Sequence, residues 1–458
     1  MMETSASSNE VRINNAPEIR MAKLPADCNS PSFWKDNKLY WYGSHGRIWL
    51  NEGTNIFDMK YVKDIDFVHK ENAKPVWMES IHRENDTIFG WYHTEPLGLF
   101  PNSALTVPKI GATISTQGGL VARDIGTILE SSYPVDPNAK NGYFAGGHGD
   151  FSVLLDRDKK YFYFFFDNYS GDVSEQGVCI ARMAYEDRHN PVGKVYKFYN
   201  DNWSENGLGG KVTPFLKVFR SWSYADPDAF WGPSVHWNTH LRCYVMLLNR
   251  AQGRPGWSQE GVYISFNRDI SNPYGWSEPK KILDKIQFDG WYFFYPQVMG
   301  LRYGETEREV GSVARLFVAG VSRWEIEFVK NEITNMSTRG YVDQIKPLIK
   351  GFSIGGIGKK RILARAIGPS LSQFGVEQYL NNPKIRLFDN TGKIIAENDD
   401  WNNGLSTDFI KVGAFPLISN STDSAVVIDL DRSTTYTVQV ISQDGVGGEV
   451  LVEIYEIP

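Results

Sequence analysis

Residues 150–166 read DFSVLLDRDKKYFYFFF: a short apolar strand, a charged turn and six consecutive aromatics. Two apolar runs around a polar turn make an antiparallel hairpin. The unit recurs as SPSFWKDNKLYWYGS at 30–44, VWMESIHRENDTIFGWYH at 76–93 and GPSVHWNTHLRCYVMLLN at 232–249. A fifth copy runs from YPQVMGL at 295 through the polar RYGETERE to ARLFVAG, which ends at 320. More strand-like sequence follows the middle three: IGATIS and GTILES, then GVCIARMAY and VGKVYKFY, then GVYISFN and GWSEPKKIL. Two hairpins per repeat are what a four-stranded blade requires, so the pattern predicts an all-β chain with a five-bladed β-propeller. Strand composition alone also permits a large β-sandwich. Recurrence of one unit favours the propeller.

The 458 residues suit two domains. The reading is a flexible segment over 1–25, the propeller over 26–330, a polar linker NEITNMSTRG at 331–340 and a β-sandwich over 341–458. The last rests on KIRLFDNTGKIIAEND, SAVVIDL, TYTVQVI and EVLVEIYEI, with Asn390-Thr391-Gly392 as a turn signal. A net charge of −6 without a Lys/Arg run argues against nucleic acid and anionic membrane as partners. No apolar run approaches the ~18 residues of a membrane helix. The first twenty residues show no signal-peptide core. Cys28, Cys179 and Cys243 form no CxxC pair, and buried thiols are expected.

In a propeller the first strand of every blade lines the central channel, and functional side chains gather at one mouth. The repeats offer Asp27, Asn29 and Ser30; Glu79; His148 and Asp150; Asp226, Asp228, Trp231 and His236; and Trp291, Tyr295 and Gln297. General acid–base chemistry by a carboxyl pair needs one protonated and one ionised group. Glu79, beside Trp77 and Met78, has the apolar company that raises a carboxyl pKa and suits the acid; Asp150, after the GGHG turn, suits the base. Trp231, Trp291 and Tyr295 are candidates for an aromatic floor on which a ligand's ring stacks. Asn29, His45, His93, His148, Asp228, His236 and Gln297 are candidates for polar contacts with that ligand. Each has a plainer alternative: a strand-entry Asp capping amides, a loop-shaping Asp226 or Asp228, a hydrogen-bonded core His, an aromatic in the packing between blades. His236 and His240 have the i, i+4 spacing of a zinc pair, but WNTH reads as a hairpin turn that sends them apart, so no metal site is expected. No cofactor is implied, and a structural cation such as calcium in the channel is compatible with the reading. GFSIGGIGKKR at 351–361 continues into strand-like sequence and is no phosphate loop.

NSPSFWKDNKLYWYGS resembles the opening strand and hairpin of the five-bladed propeller glycosidases, the arabinanase, xylosidase and fructosidase superfamily. That resemblance implies an Asp base, a second Asp and a Glu acid on successive blades. Ser30 stands where the base would be, Asp27 three residues earlier receives no role, and Glu79 and Asp150 have the two acid types exchanged. NGYFAGGHGDFS and DAFWGPSVHWN also resemble a bacterial propeller group with no assigned activity. RAIGPSL at 365–371, FDNTGKIIAENDDW and the closing VEIYEI resemble an accessory domain common at the C-terminus of secreted bacterial proteins, which implies an extracellular or periplasmic location.

The expected function is hydrolysis of a glycosidic bond by Glu79 and Asp150. Two other readings stay open: a lyase acting on a uronate glycan, for which His93, His148 and Tyr143 are candidates, and a non-catalytic glycan-binding or surface-attachment protein.

Overall fold

The computed structural model describes residues 11–457 apart from 24, 71–73, 117, 253–256, 289–293, 330–335, 355–357 and 432–433. Among these the chain is almost wholly β, with one short α-helix at Ser406–Lys411. It divides into two compact units, Val11–Phe328 and a second from Val329 onward.

Among the described residues the first unit holds five separate sheets. All five expected hairpins are present: Ser32–Lys35 with Lys38–Ser44, Val76–Glu84 with Thr87–Thr94, His148–Leu155 with Tyr161–Asn168, Asp228–Asn238 with Cys243–Gln252, and Gln297–Gly300 with Val313–Val318. Each begins a sheet that later strands extend. The aromatic strand Tyr161–Asn168 shows why the run is unbroken. Phe162, Phe164 and Phe166 pack with Phe89, Trp91 and Ile110 of the second sheet. Tyr163 and Phe165 pack with Phe230, Tyr244 and Met246 of the fourth. Each fully buried side chain of this kind stabilises the fold by about 1.5–3 kcal/mol. The first sheet joins the second through Phe33, Tyr42, Val76 and Met78, and joins the fifth through Trp41, Met299 and Phe317.

The segment read as flexible, 1–25, holds a strand instead. Val11–Arg20 pairs antiparallel with Val321–Phe328, Val11 opposite Phe328 and Ile13 opposite Ile326. Only one of its ten residues is buried, so hydrophobic periodicity gives it no signal. Backbone bonds hold it, with Arg323 Nε donating to Glu18 Oε2 at 2.8 Å. It completes the fifth sheet.

The second unit has two four-stranded sheets. One runs Met336–Val342, Gly448–Glu456, Lys359–Ile367, Ser424–Asp431; the other runs Leu348–Ile354, Thr434–Ser442, Pro383–Phe388, Ile394–Asn398. Both contribute to one core, with Ile362, Ala364 and Val452 from the first and Ile354, Leu387 and Val438 from the second. The segment read as a linker is therefore partly sheet: 336–340 pair with 450–454, Met336 opposite Ile454 and Gly340 opposite Val450. Its alternation of half-buried and exposed residues is that of a strand with one wet face, which reads as polar sequence. The rest of the expected linker, 331–335, lies outside the described residues.

Candidate active site

The entry to the third sheet is set by Gly146 and Gly147, both at positive φ, and a β-carbon on Gly147 would lie 2.6 Å from the Pro108 carbonyl oxygen. Glycine there lets the chain pass Pro108 and start its strand at His148. The ladder then skips between Gly149 and Phe151, leaving Asp150 as the extra residue of a β-bulge with φ +43°. The second sheet skips between Met78 and Ser80, around Glu79, and the fourth between Trp231 and Ser234. A bulge breaks the two-residue alternation and re-aims a side chain. Two of these bulges fall on carboxylates, Asp150 and Glu79.

A cavity of about 240 Å³ opens at this end of the first unit. Among the described residues its polar lining is Asp27, Glu95 and Asp150, and its walls are Tyr143, Phe144, Trp231, Trp257, Phe294 and Tyr295. Asp150, Trp257 and Tyr295 all lie at positive φ, between +43° and +60°. Non-glycine residues held there carry strain that only a rigid surrounding sustains.

Asp150 is almost wholly buried, and both its oxygens accept hydroxyl protons: Oδ1 from Tyr295 at 2.7 Å and Oδ2 from Tyr169. Burial raises its pKa, while His93 and the two hydroxyls favour the ionised form. Asp27 sits in the loop before the first sheet with about a third of its side chain exposed, and His45 Nδ1 is 3.6 Å from its Oδ2. Burial pushes its carboxyl up to about 6, with His45 opposing and Asp150 adding to the rise.

Glu79 stands behind the cavity and is not among its lining residues. Its side chain is fully buried, Oε1 is bonded directly to His93 Nδ1, and Oε2 accepts from the Phe151 amide at 3.2 Å. Burial lifts its pKa to about 7 against the pull of His93. His93 lies flat on Trp77, centroids 4.7 Å apart and planes 12° apart, with Nε2 3.4 Å from Glu95 Oε1. Glu79, His93 and Asp150 bring one donor atom each within 4.8 Å of the others. The Glu79 oxygen and imidazole nitrogen are joined to each other and the Asp150 oxygens to tyrosines, an arrangement of shared protons rather than of donors aimed at one point.

The other expected contacts divide. Trp231 and Tyr295 line the cavity, ring edge to ring face at 5.3 Å, with Trp231 Nε1 donating to Gln259 Oε1 at 2.9 Å. Trp291 lies outside the described residues. Asn29 donates to the Phe151 and Pro233 carbonyls at 2.9 and 3.0 Å, tying the first sheet to the third and fourth. Gln297 brackets the Ser30 backbone, accepting from its amide and donating to its carbonyl. Asp228 holds Arg250 bidentately at 2.8 and 3.1 Å. His148 is buried against Phe166, its Nδ1 3.2 Å from the Gly147 carbonyl. His236 is buried against Phe328, with neither nitrogen hydrogen-bonded among the described residues. Asn29, Gln297, Asp228 and His148 are committed to the scaffold by these polar contacts, and His236 by packing alone. Glu95, Phe144, Trp257 and Phe294 were not singled out from sequence. Glu95 carried one signal, its place directly after the hairpin strand that ends Tyr-His-Thr.

No protein-family model matches the sequence, and no curated protein matches it. Solved structures similar to the chain include an exo-β-1,3-galactanase from Phanerochaete chrysosporium, 11% identical with a TM-score of 0.40 over 96% of this chain and 100% of that one. An endo-arabinase from Bacteroides thetaiotaomicron is 9% identical with a TM-score of 0.41, over 69% of this chain and 98% of that one. A thermostable family-43 glycoside hydrolase is 12% identical with a TM-score of 0.40, over 68% and 94%.

Proposed function

We propose that the chain is a glycoside hydrolase-like enzyme, a five-bladed β-propeller followed by an accessory β-sandwich, that cleaves a glycosidic bond in the cavity around Asp150. One observation carries the reading: three carboxyl groups, Asp27, Glu95 and Asp150, share a small cavity whose walls are aromatic. Aromatic faces pack on the apolar face of a sugar ring, and carboxyl groups supply both hydroxyl contacts and acid–base chemistry. In this reading Asp27, partly exposed and with a carboxyl that holds its proton up to about pH 6, donates to the leaving oxygen. Asp150, whose pKa burial raises while His93 and two tyrosine hydroxyls favour its ionised form, serves as the base. Glu79, the acid expected from sequence, takes a supporting place because its carboxylate is committed to His93 and the Phe151 amide. An extracellular or periplasmic location goes with this reading.

A product assay tests it. Wild type, Asp150→Asn and Asp27→Asn are incubated with plant and algal polysaccharides and aryl glycosides, reading reducing ends and ultraviolet absorbance together. New reducing ends that both variants lose support hydrolysis; an absorbing, unsaturated product would move the case to a lyase. A second reading has its own observation: both Asp150 oxygens already have donors, as in a purely structural carboxylate. Saturable glycan binding without turnover, unchanged in Asp150→Asn, would establish a binding protein instead.

A further inference from the structure

We propose that Glu95 is a substrate-contacting carboxylate of this cavity and that buried His93 is the residue that positions it, anchored in turn by Glu79. The inference rests on the cavity being the glycan site proposed above, and it gives work to residues that the acid–base pair leaves idle. Glu95 is about a quarter exposed and lines the cavity, so it is reachable by a ligand. Behind it the contacts form one line. The Phe151 amide, next to Asp150, donates to Glu79 Oε2; Glu79 Oε1 meets His93 Nδ1; His93 Nε2 faces Glu95 Oε1. Asp150 and Glu95 are thereby fixed to a common frame although they come from different sheets.

The chemistry of imidazole sharpens this. A neutral ring has one N–H, and a ring with the Glu79 carboxylate bonded at Nδ1 and the Glu95 carboxylate 3.4 Å from Nε2 is placed to be the cation. His93 is nearly fully buried, and an imidazolium there needs both partners. Burial opposes its charge, but Glu79 and then Glu95 outweigh that and hold it well above the ordinary histidine value. The remaining ionisable groups that act on this line are Asp27, Asp150 and, through Glu79, Cys28, Asp167, Tyr169 and Tyr295. The acids among them favour a cation at His93. Trp77, stacked on the ring, keeps it from rotating out of the line.

The test has two independent arms on the full chain. Imidazole nitrogen spectra, with the His93 signals assigned by their loss in His93→Gln, should show both nitrogens protonated at pH 8 in wild type and one bare nitrogen in Glu79→Gln. A wild-type His93 that titrates near the ordinary value of about 6.5 would overturn the positioning role whatever the protein's activity. The second arm measures kcat and KM on 4-nitrophenyl galactoside, xyloside and arabinoside. Glu95→Gln should raise KM about ten- to a hundredfold, the loss of a hydrogen bond to a charged group, with a smaller change in kcat, and the folded His93→Gln should reproduce it. An unchanged KM in Glu95→Gln would overturn substrate contact. If wild type turns over none of these glycosides while His93 remains doubly protonated, the hydrolase reading and the contact role fall together and the positioning role stands. If His93→Gln does not fold, Glu79→Gln carries both arms.

Discussion

The Glu79 carboxylate and the His93 imidazole are bonded directly across the second sheet's first hairpin, although the strand ladder pairs His93 with Trp77. The bulge between Met78 and Ser80 makes this compatible: Trp77 stacks on the imidazole face, and the extra residue, Glu79, reaches its edge. Two side chains two positions apart thus hold the same ring in different ways. In a regular ladder Glu79 would take a pairing position of its own opposite Trp91, the place that Ser80 holds instead.

Removing one partner of this pair should cost far more than the pair's net contribution. Glu79→Ala is expected to destabilise the first unit by about 3–5 kcal/mol, because it strands the His93 charge in the interior. Glu79→Gln, which keeps the volume and one acceptor, should cost less. Urea unfolding followed by tryptophan fluorescence measures both, and equal costs for the two variants would argue against a charged His93.

Asp150→Asn should lower kcat on any substrate the wild type hydrolyses by about 10²–10⁴-fold, the usual contribution of a positioned acid or base. Tyr295→Phe, which removes one of two hydroxyl donors to Asp150, should give a smaller loss and move the acid-limb pKa of the rate profile, the one that reports the base, upward. A rate profile that does not move would mean that the hydroxyl is only packing.

His236 should make the fold acid-sensitive. Burial depresses its pKa from 6.5 to about 3. The unfolded chain therefore binds a proton that the folded chain refuses between those values, so stability present above pH 6.5 is lost as pH falls toward 3. His236→Phe, which keeps a ring against Phe328, should flatten the fall in melting temperature between about pH 6.5 and about pH 4. Glu79 acts in the opposite sense: its pKa is raised from 4.5 to about 7, so its share of stability is present below pH 4.5 and lost as pH rises through 7. Parallel acid limbs for His236→Phe and wild type would refute the assignment.

In the second unit, Arg365 is fully buried, bonded to Glu453 and to the Phe415 carbonyl, with its guanidinium over Phe409 and Phe415 at 4.7 Å. Arg365→Met should destabilise that unit by about 3–5 kcal/mol through the unpaired Glu453. Arg365→Met with Glu453→Gln should recover much of this in calorimetry. No recovery would show that the arginine acts by packing alone.

The recurrent hairpins were legible because each strand pair carries its own signal in a dozen residues: alternating or unbroken apolar runs around a polar turn. That local logic found 76–93, 150–166 and 232–249 close to their observed strands. It missed Val11–Arg20 and the strand at Met336–Val342, whose pairing depends on backbone bonds to partners more than a hundred residues away. Asp150, Trp231 and Tyr295, offered by the leading ends of the repeats, line the cavity. Asn29, His148, Asp228, His236 and Gln297 occupy comparable positions in sequence but serve the scaffold, and no residue type distinguishes the two fates.

By itself, the sequence determined that this chain is predominantly β, where its first-unit hairpins lie and that acidic and aromatic residues recur at their leading ends. These follow from side-chain periodicity and turn chemistry, which act over a few residues. Only the tertiary structure decided that Asp27 and Glu95 join Asp150 in the cavity while Glu79 turns behind it to His93. Bulges, left-handed backbone and the burial of one charge beside another are settled by packing between sheets, and packing is a property of residues distant in the chain.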